Sequence, residues 1–200
     1  FQEMRIGIDL GGTKIEGILM DREGNVTQVI RKAAPRGHYE RTVRAITELV
    51  RELDILAVGK CSVGIATPGT WIPDRSAMKN CNSTWLNGRP LLDDLIESLN
   101  RPIRIANDAD CFALSEAVAG AGRSCSCVFG IILGTGVGGG WVINGQLLLG
   151  PNGLSGEWGH TPMPYFRSDP HSARAETDLP DRQCYCGRAN CIETFLSGPG

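Results

Sequence analysis

Three cysteines lie within eight residues, Cys184-Tyr185-Cys186-Gly187-Arg188-Ala189-Asn190-Cys191, and upstream stands Gly156-Glu157-Trp158-Gly159-His160. Three thiolates and one imidazole make a complete tetrahedral ligand set for zinc. The Cys-x-Cys-x4-Cys spacing is not the paired C-x-x-C of a zinc ribbon, and His160 enters as fourth ligand by its proximity to Glu157. A histidine that gives one nitrogen to a metal keeps the other for a hydrogen bond, here to a substrate hydroxyl. Glu157 and Glu193 flank the ligands without being needed by them, so the cluster reads as a brace that holds polar groups for other chemistry.

Two glycine-rich turns follow apolar segments. Asp9-Leu10-Gly11-Gly12-Thr13-Lys14 offers backbone N–H groups, a hydroxyl and a cation, and Asp9 suits magnesium, directly or through water. Leu133-Gly134-Thr135-Gly136-Val137-Gly138-Gly139-Gly140 has the same character. Neither opens a helix, as a Walker loop or dinucleotide fingerprint requires. Each alone is equally a hairpin turn; two in matched positions point to phosphate.

Asn107-Asp108-Ala109-Asp110 falls where an apolar strand meets a helix, the edge at which α/β folds bind ligands. Asp108 or Asp110 serves there as a helix cap, or Asp108 serves as general base for an alcohol attacking a phosphoryl group. Asn82, Asn107, Glu157 and Glu193 together offer the donors and acceptors a polyol needs; Asn82 alone is equally a turn residue, and the two glutamates equally surface charge.

These residues require a scaffold. Met4–Leu10, Ile15–Met20 and 26–33 read as three antiparallel strands. A helix over Tyr39–Leu53 places Val43, Ile46, Leu49, Val50 and Leu53 on one face. Strand Cys61–Ala66 stops at Pro68-Gly69, and helix Leu91–Leu99, strand Ile103–Asn107 and helix Asp108–Ala119 follow. Then come strand Cys127–Leu133 and two strands, Trp141–Ile143 and Gln146–Leu149, joined by the hairpin signal Asn144-Gly145. The pattern predicts an α/β protein of two domains, 4–119 and 120–200, each opening with a β-meander. No helices are left to cover the second sheet, so that domain is expected to be incomplete in this chain. Residues 165–183 read as an exposed polar loop.

Lys plus Arg is 20 and Asp plus Glu 22, a net charge of −2 that argues against nucleic acid as partner. No apolar run spans a bilayer and no signal peptide is evident, so a cytoplasmic, reduced protein is expected. Cys61, Cys81, Cys111, Cys125 and Cys127 then read as packed or idle thiols.

Taken together, the two glycine turns, Asn107-Asp108-Ala109-Asp110, Gly156-Glu157-Trp158-Gly159-His160 and the cysteine run through Glu193 resemble the ROK family of sugar kinases and repressors. The resemblance runs from Met4 to the last residue. It implies the actin-like, hexokinase-like ATPase fold and ATP-dependent phosphorylation of a hexose 6-hydroxyl. ATP with Mg²⁺ would be clamped by Asp9, Gly11, Gly12, Thr13, Lys14, Gly134, Thr135, Gly136 and Gly138. Gly69, Asn82, Asn107, Asp108, Glu157, His160 and Glu193 would hold the sugar, between the two domains. Asp108 would be the base, and zinc would be bound by His160, Cys184, Cys186 and Cys191. The family is often dimeric, which implies a homodimer.

Within the family, Asn80–Gly88 and Glu157–Pro162 look most like the fructokinase and mannofructokinase branch, with an N-acetylglucosamine, glucose or mannose kinase as the alternative. From another class stand a sugar-sensing repressor, disfavoured by the near-neutral charge, and a non-catalytic sugar-binding protein. Asn190 replaces the family's usual glycine; asparagine tolerates positive φ better than other side chains, so the metal loop is expected to survive.

Overall fold

Alternation decides the first strand. In β1, Met4–Leu10, Ile6, Ile8 and Leu10 are buried while Arg5 and Asp9 face out. The computed structural model describes all residues except 1–3, 58, 60 and 165–180, so most of the expected polar loop lies outside the described residues. β1 pairs antiparallel with β2, Lys14–Met20, which pairs antiparallel with β3, Val26–Ala33. Helix α1 runs over Tyr39–Leu56, three residues beyond the apolar periodicity. It buries Ile46, Leu49, Val50 and Leu53. It packs on β2 at Gly17, where a Cβ would stand 2.8 Å from Leu53 and 3.0 Å from Leu49; the missing side chain lets helix and sheet approach.

β4, Cys61–Thr67, lies parallel to β1. A short hairpin, β5 Thr70–Ile72 and β6 Ala77–Lys79, follows and was not expected. Three-residue strands are too short to show a period, and Ser76, at φ 43°, gives no glycine signal for the reversal. Helix α2, Leu91–Leu99, leads to β7, Ile103–Asn107, parallel to β4. The sheet order is β3-β2-β1-β4-β7, an antiparallel meander extended by parallel strands, within the α/β class that the pattern predicts. Residues 1–108 form one compact unit and residues 109–200 a second.

In the second unit, helix α3, which begins at Asp108 and ends at Val118, precedes a three-stranded antiparallel sheet: β8 Cys127–Leu133, β9 Val137–Ile143 and β10 Gln146–Leu147. β9 starts four residues earlier than expected. Gly138, Gly139 and Gly140 are strand residues facing Ile132, Ile131 and Gly130, and the glycine turn shrinks to Gly134–Gly136. Packing explains these glycines: a Cβ on Gly140 would lie 2.9 Å from the Ala109 carbonyl oxygen at the head of α3, and one on Gly139 would lie 2.8 Å from the Phe129 ring. The hairpin at Asn144-Gly145 forms as expected, with φ 50° and 75°, although β10 is only two residues long. Among the described residues, a short 3₁₀ turn, Trp158–His160, and helix α4, Glu193–Leu196, complete the unit.

Candidate active site

In the first unit the carboxyl ends of three parallel strands define a binding edge. The register sets Asp9 opposite Ala66 and Thr67 opposite Asn107, so the Asp9–Lys14 turn, Gly69, Asn107 and Asp108 gather at that edge. The Gly11 amide donates to the Lys14 carbonyl at 3.0 Å, and a Cβ there would stand 2.9 Å from the same oxygen, so the turn admits only glycine without shifting. Partial desolvation, then the charge of Glu16, holds the Asp9 carboxyl above its ordinary range, and Lys14 pulls against both. A carboxylate disfavoured in this way gains from a nearby cation.

The loop carrying Asn82 closes on this turn: a Cβ on Gly12 would approach Ser83 Oγ to 3.3 Å. Asn87 fixes the loop by accepting from the Cys81 amide at 2.8 Å and donating to the Cys81 carbonyl at 3.1 Å. Gly69 must be glycine, since a Cβ would fall 2.5 Å from Cys81 Sγ and 2.6 Å from the Lys79 carbonyl. The Thr67 hydroxyl lies 2.9 Å from the Gly69 carbonyl and 3.1 Å from that of Ala106, tying the strand ends together. Burial, then the charge of Asp108, pushes the Cys81 thiol up to about 12. Asp108 is exposed as the first residue of α3. Asn82 is also exposed.

In the second unit, Gly156-Glu157-Trp158-Gly159-His160 lies flush on β9. A Cβ on Gly159 would meet the Val137 carbonyl at 2.2 Å, and one on Gly156, at φ 93°, would meet that of Gly139 at 2.3 Å. The Trp158 indole donates to the Gly138 carbonyl at 2.8 Å, so Gly138 serves this packing from within the strand and not from the turn. Glu193 is buried and accepts from the Val137 amide at 3.1 Å; the missing Cβ of Gly136 leaves room for the same carboxylate. The turn Gly134–Gly136 therefore adjoins Glu193, and the Gly134 carbonyl accepts from the Gly198 amide at 2.7 Å. Thr135 is exposed at the tip.

His160, Cys184, Cys186 and Cys191 converge, with one donor atom from each inside a 4.8 Å spread. His160 Nδ1 lies 3.5 Å from Cys184 Sγ, and Cys186 and Cys191 place their sulfurs 3.6 Å apart. Tetrahedral zinc with ordinary bond lengths sets such N···S and S···S separations at about 3.6 and about 3.8 Å. The donor chemistry and spacing therefore fit zinc. Burial, with the neighbouring Cys186 and Cys184 thiols, pushes Cys191 up to about 12; against slight desolvation, the Arg188 amide and the two other thiols hold Cys186 below its ordinary range. Crowded thiols that resist joint ionisation are relieved by a divalent cation.

Asn190 adopts φ 58°, as anticipated. Its side chain does what glycine could not, accepting from the Arg182 amide at 2.9 Å and donating to Asp181 at 2.7 Å. The Ile192 amide donates to the Thr161 carbonyl at 3.0 Å and that of Met163 to Asn190 at 2.7 Å, locking the histidine segment to the cysteine segment. One residue escaped the sequence reading. Tyr185, between two cysteines, places its hydroxyl 3.0 Å from His160 Nε2, where a substrate hydroxyl was expected. Nothing in the spacing of a lone tyrosine signals such a contact. Burial of the hydroxyl, then the charges of Glu193, Cys184 and Glu157, pushes this phenol up to about 12.

The profile of the ROK family matches residues 5–200. The chain belongs to the ROK family. It is 42% identical over 197 residues to the N-acetyl-D-glucosamine kinase of Pectobacterium carotovorum, covering 98% of this chain and 64% of that protein. It is 40% identical to an N-acetylgalactosamine kinase of a Shewanella species, with 98% and 62% covered. Among solved structures, a ROK glucokinase from Streptomyces griseus in complex with glucose and AMPPNP superposes with a TM-score of 0.76 at 31% identity, covering 98% of this chain and 58% of that one. The chain thus spans a little under two thirds of the length of these ROK proteins, and the actin-like, hexokinase-like fold holds with its second domain partial. The comparisons favour the N-acetylglucosamine alternative over the fructokinase branch. The segments that suggested fructose, Asn80–Gly88 and Glu157–Pro162, are therefore no guide to the branch.

Proposed function

We propose that the protein phosphorylates the 6-hydroxyl of an N-acetylhexosamine, with N-acetylglucosamine foremost, at the expense of ATP. The observation that carries this is the 42% identity to an N-acetylglucosamine kinase over nearly the whole chain, with Asp108 at the strand-end edge. Asp108 takes the proton from the 6-hydroxyl as that oxygen forms its bond to the γ-phosphorus and ADP leaves. Gly11, Gly12, Thr13 and Lys14, with Gly134, Thr135 and Gly136, offer amides, hydroxyls and a cation to phosphate oxygens. Asp9 would hold Mg²⁺, which supplies charge neutralisation on the phosphates. Asn82, Asn107, Glu157, His160 and Glu193 bind sugar hydroxyls, and Gly69 keeps the edge open. Zinc on His160, Cys184, Cys186 and Cys191 would be structural, fixing the positions of His160 and Glu193.

The test is turnover by the intact protein with Mg-ATP against N-acetylglucosamine, N-acetylgalactosamine, glucose, mannose and fructose. We expect the highest kcat/KM on N-acetylglucosamine. Preference for fructose would overturn the substrate assignment, and no turnover on any hexose would overturn the kinase reading.

A further inference from the structure

His160 has its two ring nitrogens committed in opposite directions. Nδ1 faces Cys184 Sγ at 3.5 Å, and Nε2 faces Tyr185 Oη at 3.0 Å. With a metal on Nδ1 the proton would sit on Nε2, and Nε2–H would donate to the tyrosine oxygen. The two rings meet edge to face, with centroids 5.1 Å apart and planes at 88°. Tyr185 is 81% exposed at the tip of the cysteine loop, between a buried Cys184 and an exposed Cys186. Its hydroxyl nevertheless lies within the electrostatic reach of both Glu193 and Glu157. The phenol hydroxyl therefore occupies the His160 nitrogen that a polyol hydroxyl would use.

We propose that Tyr185 is a specificity-determining residue that occupies the sugar subsite itself: its hydroxyl stands in for a sugar hydroxyl on His160 and must be displaced when the sugar binds. This rests on the reading that His160, Glu157 and Glu193 bind the hexose. Exposure of the ring makes displacement a side-chain rotation into solvent, with no core contact to break. A sugar with a hydroxyl that reaches Nε2 replaces the bond it breaks. One lacking that hydroxyl leaves a donor unpaired and is rejected.

Calorimetric binding of N-acetylglucosamine to intact, zinc-replete Tyr185→Phe protein tests this. Removing the competitor tightens Kd by about 3- to 10-fold, the size of one exchanged hydrogen bond, and the gain falls on KM and not on kcat. The histidine Nε2–H, followed by ¹⁵N NMR without sugar, exchanges with water faster in the variant than in the parent. Unchanged or weaker sugar affinity in Tyr185→Phe, with the parent still binding, overturns the proposal. Absence of hexose binding in both proteins overturns the kinase reading as well. A second measurement needs no substitution at the hydroxyl: 3-fluorotyrosine at position 185 shifts its ¹⁹F resonance on saturation with N-acetylglucosamine, and a resonance that stays in place under saturation overturns the displacement.

Discussion

Replacing Asp108 by asparagine keeps the side chain's size and its place at the head of α3 but removes the base. General-base catalysis typically contributes about 10²- to 10⁴-fold, so Asp108→Asn should lose that much in kcat. Asparagine still pairs with a hydroxyl, so the dissociation constant for N-acetylglucosamine should stay within a few-fold. Steady-state kinetics and calorimetry on the same preparation separate the two effects, and retained kcat would exclude Asp108 as the base. At this scale the sequence was informative wherever residue type and spacing coincide. Asn190 was recognised as a left-handed position because asparagine is the side chain best suited to it, but its bonds to Asp181 and Arg182 depend on the return path of the chain. Tyr185 was invisible for the same reason: its partner, His160, is 25 residues away in sequence.

Elements hold these residues through close approaches that only glycine permits. The Gly156–His160 segment lies on β9 because Gly159 has no Cβ to strike the Val137 carbonyl. Gly159→Ala should therefore lift His160 from its position, destabilising the protein by about 1–3 kcal/mol as overpacking does. Disturbing the support of a metal ligand should also weaken zinc binding by about 10- to 100-fold. Thermal unfolding and zinc content of the purified variant are the measurements, and parental values for both would show that β9 does not position the histidine. Strand and helix identities were legible from periodicity: the opening meander, α1, α2, β7 and β8 all fall where alternation or a 3.6-residue repeat places them. The β5–β6 hairpin was not, because three-residue strands carry no period. The glycines of β9 misled for a physical reason. Gly138–Gly140 look like a ligand loop in sequence, yet their spacing answers to the packing of α3, Phe129 and the Glu157–His160 segment on one strand.

At the scale of the molecule, the two units are stabilised in different ways. The first has a continuous apolar core from β1, β2, β4, α1 and α2, with Ile15, Ile46, Leu49, Leu53, Leu86, Leu91 and Leu95 fully enclosed. In the second, the segments 156–164 and 181–196 contain only a 3₁₀ turn, isolated bridges and the four-residue α4, and the cysteine–histidine cluster joins the two segments. Chelation of zinc should accordingly raise hydrogen exchange in these two segments and leave β1, β2 and β4 protected. Equal loss of protection in both units would contradict a local brace. The sign of the pH dependence follows from the thiols. Cys191 has its pKa pushed up to about 12, so at neutral pH the metal-free protein carries a proton there that zinc must displace. Zinc affinity should rise with pH by about tenfold per unit for each proton released, and fall as the solution is acidified. A competition titration with a chromophoric chelator between pH 6 and 8, corrected for the chelator's own protonation, measures the slope. A logarithmic slope of one or more supports thiolate ligation, whereas a flat profile would remove the protonated thiols, Cys191 among them, from the metal and with Cys191 the anchor that places Glu193 two residues on.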